Sequence, residues 1–248
     1  MTAGLRKTAA LLALAVMFTG CSAPAESESG AALPDVVGSM DIRYAEQFSV
    51  DYLADGSALA EVADGRRYLI IPDGGEVPEH LPEDVTVISQ PENIYLASSS
   101  SMDLFSSLDC LGDILASSTP ESGWKLPEIA QAMADEDILY AGKYSSPDIE
   151  LLMSEGCDLA IENMMIYHSP KTAEQIESCG IPVFIERSSA ESHPLGRLEW
   201  VRLYGLMLGK SDEAEKFFSE KCSLLDEVTS RELSLIHISE PTRQAEIS

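Results

Sequence analysis

Two stretches of the chain follow one plan, and that repetition limits the folds open to it. Ile138 to Ala141 is an apolar run followed by Gly142-Lys143-Tyr144-Ser145, then by Ser146-Pro147-Asp148 and a helix-like segment that closes at Gly156. Leu159 to Ile161 is a second apolar run. It leads through Glu162 to His168 into Ser169-Pro170, a helical segment closed by Gly180, and a third run at Val183 to Ile185. Serine accepts a bond from a free backbone N–H at a helix start, proline suits the first turn, and glycine suits the left-handed residue past the end. Val85 to Ile88 and Ile94 to Leu96, then Ser98-Ser-Ser-Ser101 and a helix-like Met102 to Leu111, extend the series toward the N-terminus. Apolar strands alternating with helices in units this short predict an α/β fold, a mostly parallel sheet flanked by helices and joined by right-handed crossovers.

Before this series, Ile42 to Ile71 alternates β-branched and aromatic residues around Asp55-Gly56 and Asp64-Gly65. Those dipeptides supply the positive φ of tight hairpins, so a three-stranded β-meander is expected over 42–71. The acidic, proline-rich Pro72 to Asp84 links it to the α/β lobe, 72–191. After Ser192-His193-Pro194 the chain is helical. Leu195 to Leu208 is apolar on nearly every side, which predicts a helix buried from more than one direction, and Ser211-Asp212-Glu213 opens another.

Both ends read differently. Arg6 and Lys7 precede an apolar stretch, Ala9 to Phe18, and then Thr19-Gly20-Cys21. Residues 1–20 therefore read as a signal peptide, too short for a stable membrane span. The pattern resembles a bacterial lipoprotein signal, which implies lipid on Cys21; a plain secretory signal is the alternative. Residues 21–41 read as a lipidated N-terminus and flexible tether, since Ser22 to Gly30 has nothing to bury. At the other end, Leu233 to Arg243 resembles the translation of a sequencing-library adapter, so 233–248 is read as foreign and the genuine sequence is expected to continue beyond Glu232.

Charge removes one class of partner. With 16 Lys+Arg against 42 Asp+Glu, the formal charge is −26, and nucleic-acid binding, which needs cations facing phosphates, is excluded. With Cys21 assigned to lipid, Cys110, Cys157, Cys179 and Cys222 allow three pairings. They lack any CxxC spacing, so buried free thiols are the simpler reading.

The ordered series Ser146-Pro147-Asp148-Ile149-Glu150 … Asp158-Leu-Ala-Ile161, Gly180-Ile-Pro182-Val-Phe, Leu203-Tyr-Gly-Leu-Met-Leu-Gly209 and Glu213-Ala-Glu-Lys-Phe217 resembles the substrate-binding proteins of iron-siderophore, haem and cobalamin ABC importers. The resemblance covers about Val85 to Glu220. It implies the N-terminal lobe of a two-lobed binding protein, with Pro194 to Leu208 as a long interlobe helix within 192–232 and a second lobe beyond the sequence. Such a connector, lacking its second lobe, is expected to expose a wide apolar face. The family's permease-docking glutamate falls at Glu150, which implies an ABC permease and its ATPase as partners and an extracytoplasmic, lipid-anchored location.

Open α/β sheets bind ligands beyond the carboxyl ends of their strands. The corresponding loops offer Ser99, Lys143, Tyr144, Tyr167, His168, Arg187 and His193. The cations suit an anionic ferric siderophore; tyrosine and histidine suit haem or a corrinoid. A zinc or manganese receptor of related fold is the alternative, with His168, His193 and Glu162 as its ligand set. An extracytoplasmic hydrolase is third, disfavoured because no Gly-x-Ser-x-Gly elbow surrounds Ser98 to Ser101. No catalytic residue and no resident metal is expected.

Overall fold

The computed structural model describes the backbone of residues 33–238 and the side chains of 33–230. Residues 1–20, read above as a signal peptide, Cys21 and most of the adapter-like tail lie outside them. Strands β1 (Val36–Ser39), β2 (Phe48–Leu53), β3 (Ala58–Val62), β4 (Arg67–Ile71) and β5 (Val85–Ser89) form one sheet in that order. The turns fall where Asp-Gly placed them, with Gly56 at φ +88° and Gly65 at φ +87°. Register follows: Phe48 faces Val62, and Ala58 faces Ile70.

This sheet is larger than the expected meander at both ends. β1 lies in the segment read as tether; its four residues are exposed, so it carries no alternation, and it is ordered by pairing with β2 and by the Ser39 Oγ–Asp51 Oδ1 hydrogen bond of 2.6 Å. β5 was expected to open the parallel series, but it pairs parallel with β4, Arg67 opposite Val85. Its β-branched run suits either sheet, so sequence periodicity does not discriminate between them.

The second sheet is wholly parallel. The chain continues through β6 (Ile94–Leu96), α1 (Met102–Ser107), β7 (Ile114–Ser117), α2 (Pro127–Ala134), β8 (Leu139–Tyr140), β9 (Gly142–Lys143), β10 (Ser146–Pro147), α3 (Ile149–Ser154), β11 (Leu159–Asn163), α4 (Pro170–Ser178) and β12 (Val183–Glu186). Strand order is β12-β11-β6-β7-β8. β7 and α2 have no counterpart in the sequence reading: Ile114-Leu-Ala-Ser is short and ends in small residues, so its strand character comes from pairing with β6 and β8. Ser146 does not cap a helix. Ser146–Pro147 pairs with Gly142–Lys143 as a minimal hairpin, and Asp148 caps α3, accepting from the Leu151 N–H at 3.0 Å. Gly156 and Gly180, at φ +75° and +82°, end the two helices as expected.

One core joins the two sheets. Phe48, Val50, Tyr68 and Ile70 from the first meet Ile94, Leu96, Ile161 and Phe184 from the second, together with α1, α2 and α5 (Pro194–Met207). The Tyr68 hydroxyl accepts from the Ile185 N–H at 3.2 Å, directly bridging them. The other face of the parallel sheet packs on α3 and α4 through Tyr95, Ala160, Ile176 and Ile185.

The long helix is α6 (Ser211–Ile238), not α5. α5 has 14 residues, about 21 Å at 1.5 Å per residue, whereas α6 spans about 33 Å from Ser211 to Glu232 alone, before the adapter-like residues. Nor does α5 expose an apolar face: Leu195, Trp200, Val201, Leu203, Tyr204 and Met207 are buried, because α6 folds back along it and residues 40–47 cover its start. Exposed apolar residues do occur on the distal part of α6, at Leu224, Leu225 and Val228, where the helix is exposed from Ser223 to Ser230.

The cover over α5 is held by carboxylates. Glu199, fully buried, accepts from the N–H groups of Arg43, Tyr44 and Ala45 at 2.7–2.9 Å and from Arg202 at 3.0 Å. Glu191 takes the next two amides, Glu46 and Gln47, and the Trp200 indole N–H. Tyr44 lies so close that a Cβ on Gly196 would sit 2.8 Å from its carbonyl oxygen. Removing a buried, fully bonded charge typically costs about 3–5 kcal/mol. Glu199→Ala should therefore lower unfolding free energy by about 3 kcal/mol or more in urea melts, a loss well beyond that of truncating an exposed helix glutamate such as Glu220.

Candidate functional site

β6 comes first in the parallel sheet yet lies at its centre. The chain moves outward through β7 and β8, then returns to the other side of β6 for β11 and β12. The connections after β6 and β11 therefore leave the carboxyl end of the sheet toward opposite faces, the switch point at which open α/β sheets bind ligands.

The loop after β6 is wired inward. Ser98 Oγ donates to Glu186 Oε2 at 2.8 Å, Ser100 Oγ to the same oxygen at 3.3 Å, and the Ser188 N–H to Glu186 Oε1 at 2.6 Å. Ser101 Oγ bonds the Tyr204 hydroxyl at 2.9 Å, so the serine run is tied to β12 and α5. Burial, reinforced by Glu186, pushes the Tyr204 phenol well above its ordinary range. Ser98 and Ser101 are buried and serve this network; Ser99 is exposed on the same loop. On the facing loop Asn163 Nδ2 donates to the Ala97 carbonyl at 3.1 Å, and its Oδ1 accepts from the Met165 N–H at 2.8 Å. Ser118 Oγ donates to the same Ala97 oxygen, which joins the ends of β6, β7 and β11.

Two predicted site residues meet. Arg187 Nη1 donates to the Tyr167 hydroxyl at 3.1 Å, with its guanidinium 5.9 Å from that ring. The first sheet holds the pair: Tyr167 donates to Asp64 Oδ2 at 2.6 Å, and Arg187 Nε to Gln47 Oε1 at 3.1 Å. Partial burial and the Asp64 carboxylate raise the Tyr167 phenol pKa.

The remaining candidates are spread out. Lys143 is exposed on β9, and the half-buried Tyr144 packs toward the α3/α4 side. His168 is exposed at the end of the turn 164–168. His193 caps α5 through Nδ1, accepting from the Leu195 N–H at 3.0 Å, and stacks on Tyr44 with centroids 4.8 Å apart. Glu150 is exposed in the first turn of α3. Glu186, Asp64 and Gln47 escaped the sequence reading, for their partners lie 88 to 140 residues away and carry no local pattern.

Glu162 is separate from its neighbours. It is fully buried on the α3/α4 face, with neither oxygen partnered, and desolvation pushes its carboxyl up to about 8. His168, His193 and Glu162 therefore do not converge. Among the described residues no three His, Cys, Asp or Glu side chains are grouped to hold a metal. The four described cysteines are free; burial pushes the Cys110 and Cys157 thiols up to about 11.

No protein-family model matches the chain. An uncharacterized lipoprotein of Methanocaldococcus jannaschii is 23% identical over 173 residues, covering 64% of this chain and 40% of that protein. Among solved structures, a periplasmic binding protein from Veillonella parvula matches at 17% identity and TM-score 0.48, covering 62% of this chain and 52% of the other. A periplasmic haem-binding protein from Pseudomonas aeruginosa matches at 18% and 0.47, covering 61% and 50%. A petrobactin-binding protein from Bacillus subtilis matches at 13% and 0.46, covering 68% and 52%. The chain spans about half the length of these solved proteins and 40% of the archaeal one.

Asn163 uses both ends of its amide to tie the loop after β11 to the end of β6, so Asn163→Ala should cost about 1–2 kcal/mol, two ordinary hydrogen bonds' worth. Hydrogen exchange should show faster exchange of the Met165 amide.

Proposed function

We propose that this chain is the first lobe of a solute-binding lipoprotein of an ABC importer, capturing a ferric siderophore, haem or corrinoid outside the membrane and delivering it to the permease and its ATPase. The observation that supports the reading is the strand order: β6 lies between β7 and β11, so the loops after β6 and β11 leave the carboxyl end of a parallel sheet at its switch point, where such sheets bind ligands. Arg187, half-buried and using only part of its donor fork within the protein, offers a cation for a carboxylate or catecholate oxygen. Tyr167 offers an exposed ring beside it, while Ser99, Lys143 and His168 are exposed on loops or strands at the same end.

The rest of the reading follows from the resemblance and the N-terminal signal. Lipid on Cys21 anchors the protein, and a tether holds the lobe off the bilayer. By the same resemblance α5 is the interlobe connector and α6, with Leu224, Leu225 and Val228 exposed, follows it toward a second lobe. Binding rather than catalysis fits a crevice whose buried serines are consumed by Glu186 and Tyr204.

The direct test is absorbance. The full-length protein, mixed in turn with haemin, cyanocobalamin and a ferric catecholate siderophore, should perturb the visible spectrum of one at micromolar concentration. Arg187→Ala should weaken that binding about tenfold or more, as loss of a charge-assisted bond does. Tight binding of bare zinc or manganese with no response to the three chelates would overturn the reading in favour of a metal receptor. Glu150→Ala should leave chelate affinity unchanged and reduce uptake by cells; an unaltered uptake rate would remove Glu150 from permease docking.

A further inference from the structure

Four glutamates are buried in this lobe. Glu186, Glu191 and Glu199 each accept several hydrogen bonds, whereas both oxygens of Glu162 are unpartnered. A buried polar atom without a partner is rare enough in folded proteins to require a cause. The Tyr95 hydroxyl, also unpartnered, is on the same face of the sheet: Tyr95 pairs with Ala160, two residues before Glu162.

The location is informative. Glu162 immediately precedes Asn163, the residue that ties the loop after β11 to Ala97 and caps the turn 164–168. Glu162 stands opposite Ile185 in the parallel register, and Ile166 of that turn is buried in the cluster that holds Ile185, Ala160 and Tyr95. Ile166 thus anchors the turn after β11 in the cluster on the face to which Glu162 alternates. No cation offsets a charge there. The titratable groups of that cluster are Tyr95, Cys157 and the half-buried Tyr144, with Tyr140 near Tyr95. The charged residues of α3 and α4 (Glu150, Lys171, Glu174 and Glu177) are exposed, as are Lys143 and His168. Glu186 on β12 alternates to the opposite face.

We propose that Glu162 carries a buried proton that locks the loop after β11, so that opening the loop releases one proton to solvent and becomes easier as pH rises. This deepens the proposed function, since it rests on that loop being a wall of the ligand crevice. The sign follows from linkage. The buried carboxyl holds its proton up to about pH 8, whereas a wetted one loses it near its ordinary 4.5. Closure is therefore fully favoured below about 4.5, loses ground up to about 8, and changes no further above that.

Hydrogen exchange of the amides from Asn163 to His168, measured on the full chain and corrected for intrinsic rates, tests this. The opening equilibrium should rise about tenfold per pH unit through that window in the wild type and stay flat in Glu162→Gln. The same slope in both proteins would overturn the proposal. Should Glu162→Gln not fold, infrared spectroscopy of the wild type with 13C-labelled glutamate at neutral pH decides. A protonated carboxyl band that vanishes on unfolding is expected, and its absence would overturn the proposal. If haemin, cyanocobalamin and the siderophore all fail to bind while the proton linkage persists, only the assigned function falls.

Discussion

Five consecutive backbone amides, Arg43 to Gln47, are held by two buried carboxylates, and the arrangement of the lobe depends on that contact. Glu199 projects from α5 and Glu191 precedes it, so the segment leading into β2 is clamped across the start of the helix. A carboxylate in a low-dielectric interior makes strong bonds to N–H donors, and an unbonded one is costly, so the clamp forms completely or scarcely at all. The acid excess of this chain is therefore partly internal: its anions are hubs that gather backbone.

From that clamp a continuous line of bonds reaches the loops after β11 and β12. The Gln47 N–H is held by Glu191, while its side chain accepts from Arg187; Arg187 donates to Tyr167, and Tyr167 donates to Asp64 in the β3–β4 turn. The first sheet consequently does more than extend the core. It sets the positions of the Arg187 guanidinium and the Tyr167 phenol beyond the strand ends, much as Glu186 sets the serine loop from β12. Glu162 breaks the pattern. Three buried glutamates organise their surroundings by accepting hydrogen bonds, and the fourth, on β11, has no donor to accept from.

Legibility in the sequence followed the range of the interaction. Asp55-Gly56 and Asp64-Gly65 marked real hairpins because positive φ is a local demand. The glycines ending α3 and α4 were visible for the same reason, and the apolar runs at 94–96, 159–161 and 183–185 are strands. Ser146-Pro147 was misleading: the same two residues that can open a helix instead close a hairpin on Gly142–Lys143, because Asp148 is the better-placed cap. β1, β7 and the pairing of β5 were illegible, since each owes its order to a neighbouring strand. At the site, Arg187 and Tyr167 were legible as loop residues beyond strand ends, but their meeting was not. His193 carried a chemical signal and turned out to cap a helix.

By itself the sequence determined that this chain builds a parallel sheet flanked by helices, where its hairpins turn, which loops face the carboxyl ends, and that its charge repels nucleic acid. Those are matters of backbone preference, period and net charge, all local or additive. Only the tertiary structure decided that β5 joins the first sheet, that α6 rather than α5 is the long helix, and that Asp64 and Gln47 hold Tyr167 and Arg187. It also decided which buried glutamates find donors and which does not. Each of these depends on residues far apart in the chain meeting in a low-dielectric interior, where one donor more or less changes the outcome, and no local pattern records that meeting.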